Sequence, residues 1–312
     1  MLYFIANETA RTGKGTGVWR QVQTELKEKG VEYKAFKTEH ENHASELAAK
    51  ISRLNDDDIS IIVVGGDGTL NEVVNGITDF EKVRVSLIPA GSGNDFARGL
   101  GIKEAPKKRL EKIFAHIEAG KDSYDRIDLC EAEWEAGTKS RMYAISSGIG
   151  MDALVCKKMM TSKVKVFMNK VGLSKLSYLI VTVQSLFSME TSDMRVVFDN
   201  GDEYNFKNTI FGAAMNTKAE GGGVPMAPKA SVQDGFLSTC FVHTYTKVQA
   251  MFRLPLLALG KHEKFKGCTL VDCKEVTMQT EYPMTLHTDG EYMGEVTEVT
   301  YRVHPAKMKF ML

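Results

Sequence analysis

The sequence predicts an α/β protein, doubly wound and mostly parallel in its first half and antiparallel, with inserted helices, in its second. Up to about residue 123, short apolar β-type runs alternate with stretches of helical period, the pattern of βα units. After Gly120 short runs follow one another with turn residues between them, as in an antiparallel sandwich or barrel. No Pro- or Gly-rich linker separates the two textures, so the halves are expected to pack closely and share a cleft. With 312 residues and 43% hydrophobic content there is enough chain for two cores.

Leu2 to Ala6 reads as a first strand: it is apolar, lacks the basic flank of a leader and runs straight into polar residues. A helix from Gly17 to Lys29, a strand from Tyr33 to Lys37 and a helix from Asn42 to Asn55 follow. Ile59 to Val64 is β-branched and almost wholly apolar, as a strand covered on both faces should be. Thr69 to Gly76, Asn94 to Gly99 and Pro106 to Ala119 read as helices around a further strand, Val83 to Ile88. In the second half the strand candidates are Arg126 to Glu133, Arg141 to Ser147, Met194 to Phe198, Thr209 to Ala214, Phe236 to His243 and Glu275 to Thr280. Helices are expected near Asp152 to Asn169, Ser174 to Ser188 and Thr246 to Leu259. Leu176 to Met189, the longest uncharged apolar stretch, falls short of the ~20 residues that span a bilayer. The five cysteines form no CxxC pair, which argues for reduced thiols in a cytoplasmic protein.

The strand at Ile59 delivers the chain into Gly65-Gly66-Asp67-Gly68-Thr69. Glycines there remove the Cβ atoms that would keep phosphate oxygens from backbone N–H groups, and a helix opening at Thr69 turns its positive end to the same spot. Glu72, three residues on, would complete a capping box with Thr69. A carboxylate between these glycines would repel phosphate unless a divalent cation joined them, so Asp67 is the candidate contact for the Mg²⁺ of a nucleotide complex. A plain tight strand-to-helix turn is the simpler alternative, and Asp67 argues against it.

A second turn of similar design, Pro89-Ala90-Gly91-Ser92-Gly93-Asn94-Asp95-Phe96-Ala97-Arg98, follows the strand at Val83. Asn94 or Asp95 alone would pass as a helix cap. Loops at the carboxyl ends of parallel strands converge on one crevice, however, so both turns are expected to face one ligand. No GxxxxGK[ST] occurs, and no GxGxxG follows a strand, which excludes the P-loop, the dinucleotide fingerprint and the protein-kinase glycine loop.

Gly65 to Gly76 and Pro89 to Ala97 resemble the two signature blocks of the diacylglycerol kinase catalytic family and its bacterial lipid-kinase branch. The likeness continues through Gly221 to Ala230, Gln233 to Leu237 and Thr288 to Glu291, nearly the whole chain. The first block is shared in part with NAD kinases and phosphofructokinases; the pair is specific. The resemblance implies an N-terminal α/β ATP-binding domain over residues 1–125, with 306–312 returning to it, and a C-terminal β-sandwich-like lipid-substrate domain over 126–305. It implies ATP and Mg²⁺ as cofactors, a lipid as substrate, and transfer of the γ-phosphate to a lipid hydroxyl, diacylglycerol being the first candidate acceptor.

Carried over position by position, the resemblance implies that Gly66, Asp67, Gly68, Thr69, Leu70, Asn71 and Glu72 bind ATP beside Gly65, with Thr38 and Ser92 at further nucleotide contacts. Asn94 and Asp95 belong to the second block. Asn7 matches the start of another ATP loop, although Asn7-Glu8-Thr9-Ala10-Arg11 lacks the family's proline. Glu291 matches the residue that accepts the proton of the lipid hydroxyl; without that likeness it would be a charged residue at a hairpin tip. Ser231, Asp234 and Phe236 match a structural metal site built from backbone oxygens and one aspartate.

Lys+Arg and Asp+Glu balance at 40 each, so only the distribution of charge speaks about partners. Between Asp152 and Glu190 there is no acidic residue, while Lys157, Lys158, Lys163, Lys165, Lys170 and Lys175 fall there among methionines and Phe167. Such a stretch suits transient contact with an anionic membrane surface, and a solvated lysine face is the even alternative. Basic residues interleaved with aromatics do not recur, so no nucleic acid partner is expected. His40 and His43 stand in HxxH spacing without an evident third ligand. Monomer and homodimer fit the composition equally. A kinase of a soluble acceptor, as in NAD kinases, and a non-catalytic nucleotide- or lipid-binding sensor are the competing readings.

Overall fold

Burial on both faces shapes the first half. In the computed structural model, which describes residues 1–161 and 174–312, β1 (Leu2–Ala6) and β3 (Ile59–Gly65) are buried along their whole length, and β4 (Val83–Pro89) nearly so. Alternate side chains point to opposite faces of a sheet. Leu2, Phe4, Ile62 and Val64 pack against Trp19 and Leu26 of α1 (Ala10–Glu28) and Leu110 and Ile113 of α5 (Pro106–Glu118). Tyr3, Ile5, Ile61 and Val63 pack against Leu47 and Ile51 of α2 (His43–Ser52) and Leu70 and Val73 of α3 (Asp67–Gly76). With β2 (Tyr33–Lys37) beside β1, the parallel order is β2-β1-β3-β4, and the doubly wound layer expected from the sequence is present. All four strands therefore release their chains at one edge.

The second half is antiparallel. It contains β5 (Asp125–Trp134), β6 (Lys139–Tyr143), β7 (Ser146–Gly150), α6 (Met151–Thr161), α7 (Ser174–Ser188), β8 (Ser192–Phe198), β9 (Glu203–Thr209), β10 (Phe211–Met215), β11 (Leu237–Val242), α8 (Lys247–Ala258), β12 (Cys268–Cys273), β13 (Glu275–Thr288) and β14 (Glu291–Phe310). Tyr143, Ile149, Phe211, Phe241, Met278 and Tyr301 are among the residues that fill its core. Helix α8 opens on the capping box Thr246/Gln249.

Three differences from the expected elements have local causes. Arg141 to Ser147 splits into β6 and β7 because the N–H groups of Ala144, Ile145 and Ser146 turn to the Asp289 carboxylate instead of a neighbouring strand. Residue patterning does not reveal strand β14, of which the resemblance supplied only the end at 306–312, because Gly294 and Pro305 interrupt it; both lie where the register shifts, and bulges are where strands tolerate such residues. Helix α3 begins at Asp67 with Gly66 as its cap. Thr69 thus lies inside the first turn and makes no capping box with Glu72, whose Oε2 accepts the Ala44 N–H at the start of α2, 3.0 Å away.

Among the described residues, fourteen strands form one hydrogen-bonded sheet. The join between halves is β14, which pairs with β13 and β5 and then, at Lys309 and Phe310, runs parallel to Arg84 and Val85 of β4. Fully buried Arg109 fastens that join by donating to the Leu87 carbonyl, Ser86 Oγ and the Met311 carbonyl.

Candidate active site

The two glycine turns meet in direct contact. Ala90 N–H donates to the Gly65 carbonyl at 2.7 Å, and a Cβ on Gly91 would lie 2.5 Å from the Gly66 Cα, closer than carbon atoms approach. Only glycine permits the two backbones to lie flat on each other. Asn94, in the left-handed region at φ 52°, folds back to accept the Gly91 N–H and donate to its carbonyl. Asn7 Nδ2 donates to Thr69 Oγ1, tying the end of β1 to the first turn, and Thr38 N–H donates to the Ala6 carbonyl beside it. Ser92 is exposed on the second turn. The edge of the sheet thus gathers Asn7, Thr38, Gly65 to Thr69, Ser92, Asn94 and Asp95.

Asp67 spans both turns: its two carboxylate oxygens accept the N–H groups of Asp95 and Phe96 at 3.0 and 3.2 Å, at the start of α4 (Asp95–Gly99). Burial pushes its carboxyl up to about 6 against the pull of those two bonds, and the Asp95 charge adds to the rise. Both carboxylates come close to Gly93, where an added Cβ would lie 3.2 Å from Asp67 Oδ2 and 3.4 Å from Asp95 Oδ2. Each oxygen keeps a lone pair beyond the bonds it accepts. Two carboxylates this close together beside the glycine turns are oxygen donors of the kind that a hard divalent cation takes. Asp95 is held in place by Arg98 and by the Gly222 N–H at 2.9 Å.

The second half supplies Glu291. The β13–β14 hairpin closes on the two-residue turn Asp289-Gly290, both in the left-handed region (φ 47° and 86°), and Glu291 Oε1 lies 3.0 Å from where a Cβ on Gly68 would be. A carboxylate from one half is therefore held against the glycine turn of the other. Burial raises the Glu291 carboxyl above its ordinary range, with Arg141 partly opposing. Asp289 fixes the hairpin: its buried carboxylate accepts from Ala144, Ile145 and Ser146 N–H and from Asn71 Nδ2 at 2.8–3.1 Å.

Residues 1–124 match the diacylglycerol kinase catalytic domain, and residues 145–312 match the YegS C-terminal NAD kinase beta sandwich-like domain. The chain belongs to the diacylglycerol kinase-like lipid kinase family. It is 33% identical over 305 residues to the Bacillus subtilis (strain 168) protein YtlR, provisionally named a lipid kinase, covering 94% of this chain and 93% of that one. It is 27% identical over 277 residues to the diacylglycerol kinase of Staphylococcus carnosus (strain TM300), covering 88% and 83% of the two chains. Two crystal structures from Bacillus anthracis str. Sterne share the fold: a diacylglycerol kinase at TM-score 0.69 and 20% identity, and a chain provisionally so named at 0.73 and 21%, each alignment covering 99% of this chain and 96% of the other. As a lipid kinase it is a phosphotransferase.

Within this lipid kinase, three expected nucleotide contacts have side chains that serve the fold: Glu72, which accepts from Ala44 as described above, Leu70 and Asn71. Leu70 is buried among the core residues beneath β3, and buried Asn71 donates to the Met142 carbonyl and Asp289 while accepting from Arg141. Sequence reasoning missed Asp289 and Arg141 as organisers of the site; the Asp-Gly pair of a hairpin was the one local signal for the former. Ser231, Asp234 and Phe236 lie exposed on one loop, where Asp234 Oδ1 accepts the Phe236 N–H at 3.0 Å and buried Asp128 anchors the loop through the Gly235 N–H. One carboxylate beside carbonyls is a donor type that Mg²⁺ accepts.

His40 and His43 stack at 4.5 Å with Glu46 as the third donor that the sequence did not reveal, but His43 Nδ1 is taken by the Glu39 N–H. All five cysteines are free. In the basic block, Lys157 pairs with Glu295 at 2.8 Å over the Tyr292 ring and Lys158 donates to Ser188. Lys163, Lys165 and Lys170 lie outside the described residues, and the Lys175 side chain is not described either. Among the described residues no helix is long and apolar enough to cross a membrane.

Proposed function

We infer that this lipid kinase transfers the γ-phosphate of ATP to a lipid hydroxyl, with diacylglycerol as acceptor and phosphatidate as product. The observation that carries the reading is Glu291 held against Gly68, because it sets a proton acceptor beside the turn whose amides face phosphate. The backbone of Gly65 to Thr69 and of Gly91 to Asp95 would receive the phosphates, with Asn7, Thr38 and Ser92 bordering the nucleotide. Asp67 and Asp95 would hold Mg²⁺, which when bound neutralises charge on the β- and γ-phosphates. Glu291, whose carboxylate burial makes a stronger base, accepts the proton of the attacking hydroxyl. Asp289 and Asn71 keep the two halves at the spacing this requires.

An insoluble acceptor makes peripheral membrane contact part of the reading. The lysines between Lys157 and Lys175 remain its candidate, weakened by the internal pairing of Lys157 and Lys158. The relatives named diacylglycerol kinases support the acceptor class. Radiolabelled ATP with Mg²⁺, offered separately with vesicles containing diacylglycerol, phosphatidylglycerol or sphingosine and with soluble NAD, tests the acceptor. Label in phosphatidate supports it, and label only in NADP overturns it. Glu291→Gln is expected to lower kcat on the order of 10²–10⁴-fold while ATP binding persists.

A further inference from the structure

Three ionisable side chains are buried together behind the Glu291 hairpin: Asp152 on α6, Glu220 before the loop Gly221–Gly223, and His287 on β13, with their polar atoms within 4.8 Å of one another. Phosphoryl transfer as described above uses none of them. The set is a candidate cation site by residue type, but the bonding of His287 argues against that use. Its Nδ1 accepts the Gly290 N–H at 3.2 Å, so in the neutral ring the proton sits on Nε2, 3.3 Å from Asp152 Oδ2 and 3.9 Å from Glu220 Oε2. A cation on Nε2 would displace that proton while Nδ1 still faced an N–H, leaving an imidazolate.

The same bonding has a different consequence. Gly290 is the second residue of the two-residue turn, so its N–H has no partner in the strand ladder, and Glu291 comes next. Asp152 is built to reach the ring: a Cβ on Gly148 would lie 2.1 Å from Asp152 Oδ2, so glycine there is what gives the carboxylate room, and the Ala153 N–H holds its other oxygen at 2.8 Å. Glu220 stands farther off, with Oε2 buried and accepting no hydrogen bond.

We propose that Asp152 and His287 are positioning residues for Glu291: Asp152 keeps the imidazole proton on Nε2, and Nδ1 then fixes the Gly290 peptide and the direction from which Glu291 meets the acceptor hydroxyl. The proposal rests on Glu291 being the proton acceptor. In a serine-protease triad the aspartate sets the histidine tautomer by the same logic, and its amide variant imposes the wrong one. Asp152→Asn can turn an N–H toward Nε2, which moves the proton to Nδ1 and sets two N–H groups face to face at Gly290.

The test uses the full chain labelled with ¹⁵N-histidine, its long-range ¹H–¹⁵N spectrum assigned by the signal lost in His287→Asn. Wild-type His287 is expected as the Nε2–H tautomer and Asp152→Asn as Nδ1–H. With diacylglycerol vesicles, kcat of Asp152→Asn should fall about 10²-fold while KM for ATP stays within about twofold, as for a displaced catalytic group. His287→Asn, whose Oδ1 can stand in for Nδ1, should exceed His287→Ala about tenfold in kcat, the worth of roughly one hydrogen bond. An Nδ1–H tautomer in the wild type, undiminished turnover in Asp152→Asn, or equal rates for the two His287 variants would each overturn the proposal. If wild-type protein phosphorylates no lipid, the acceptor reading falls instead, and the spectrum still decides where the His287 proton lies.

Discussion

At Asp67, burial and hydrogen bonding act in opposite directions and burial wins, leaving the carboxyl at about 6. Because that value lies above the ordinary carboxylate range, the folded protein holds the proton more tightly than the unfolded chain does. Its contribution to stability is therefore lost as pH rises from about 4 to about 6, while the charge a cation needs appears over the upper part of that window. Measured as kcat/KM across pH, which reports the free enzyme, activity is expected to fall about tenfold per unit below pH 6. An inflection near 4 would show that Asp67 is not the group being titrated. Saturating Mg²⁺ should move the inflection in kcat to lower pH, since a bound cation favours the carboxylate.

At the scale of elements, the site depends on two turns pressed together at Gly66 and Gly91. Gly91→Ala places a methyl 2.5 Å from the Gly66 Cα, where only backbone can give way. The turns must part, and with them the Asp67 bonds to Asp95 and Phe96. ATP affinity, followed by calorimetry, should weaken at least about tenfold, while circular dichroism keeps the wild-type shape; unchanged affinity would mean that the turns do not share one ligand. These turns were legible in the sequence because strand, glycine and helix start are local signals. The clamp at Asp289 was not: its partners Asn71 and Ala144 stand 218 and 145 residues away, and nothing in a hairpin Asp-Gly states which carboxylate turns inward. Glu291 itself was found by likeness to a family rather than by chemistry. The capping box predicted for Thr69 and Glu72 failed because helix α3 starts two residues earlier, which frees Glu72 to cap α2 instead.

Across the whole molecule, the sequence changes texture near residues 120–123 and the resemblance returns residues 306–312 to the first half; β14 is the strand that runs from the second half into that return, pairing with β5 and then with β4. Without β14, the edge of β4 is open and Arg109 loses its Met311 partner in a fully buried setting. A fragment of residues 1–125 is therefore expected to lack a cooperative thermal transition, and co-expression with residues 126–312 should restore one. A sharp transition in the isolated fragment would show that the doubly wound layer stands alone.

Strand β14 also orders events in time. It carries Glu291 at one end and the residues that close the parallel sheet at the other, so a single act of pairing completes both. On the ribosome, the glycine turns and their helices emerge long before this strand, whose contacts with β4 span more than half of the sequence and are slow to form for that reason. A nascent chain therefore displays the turns without the carboxylate opposite them. Competence to transfer phosphate waits on the pairing of that one strand.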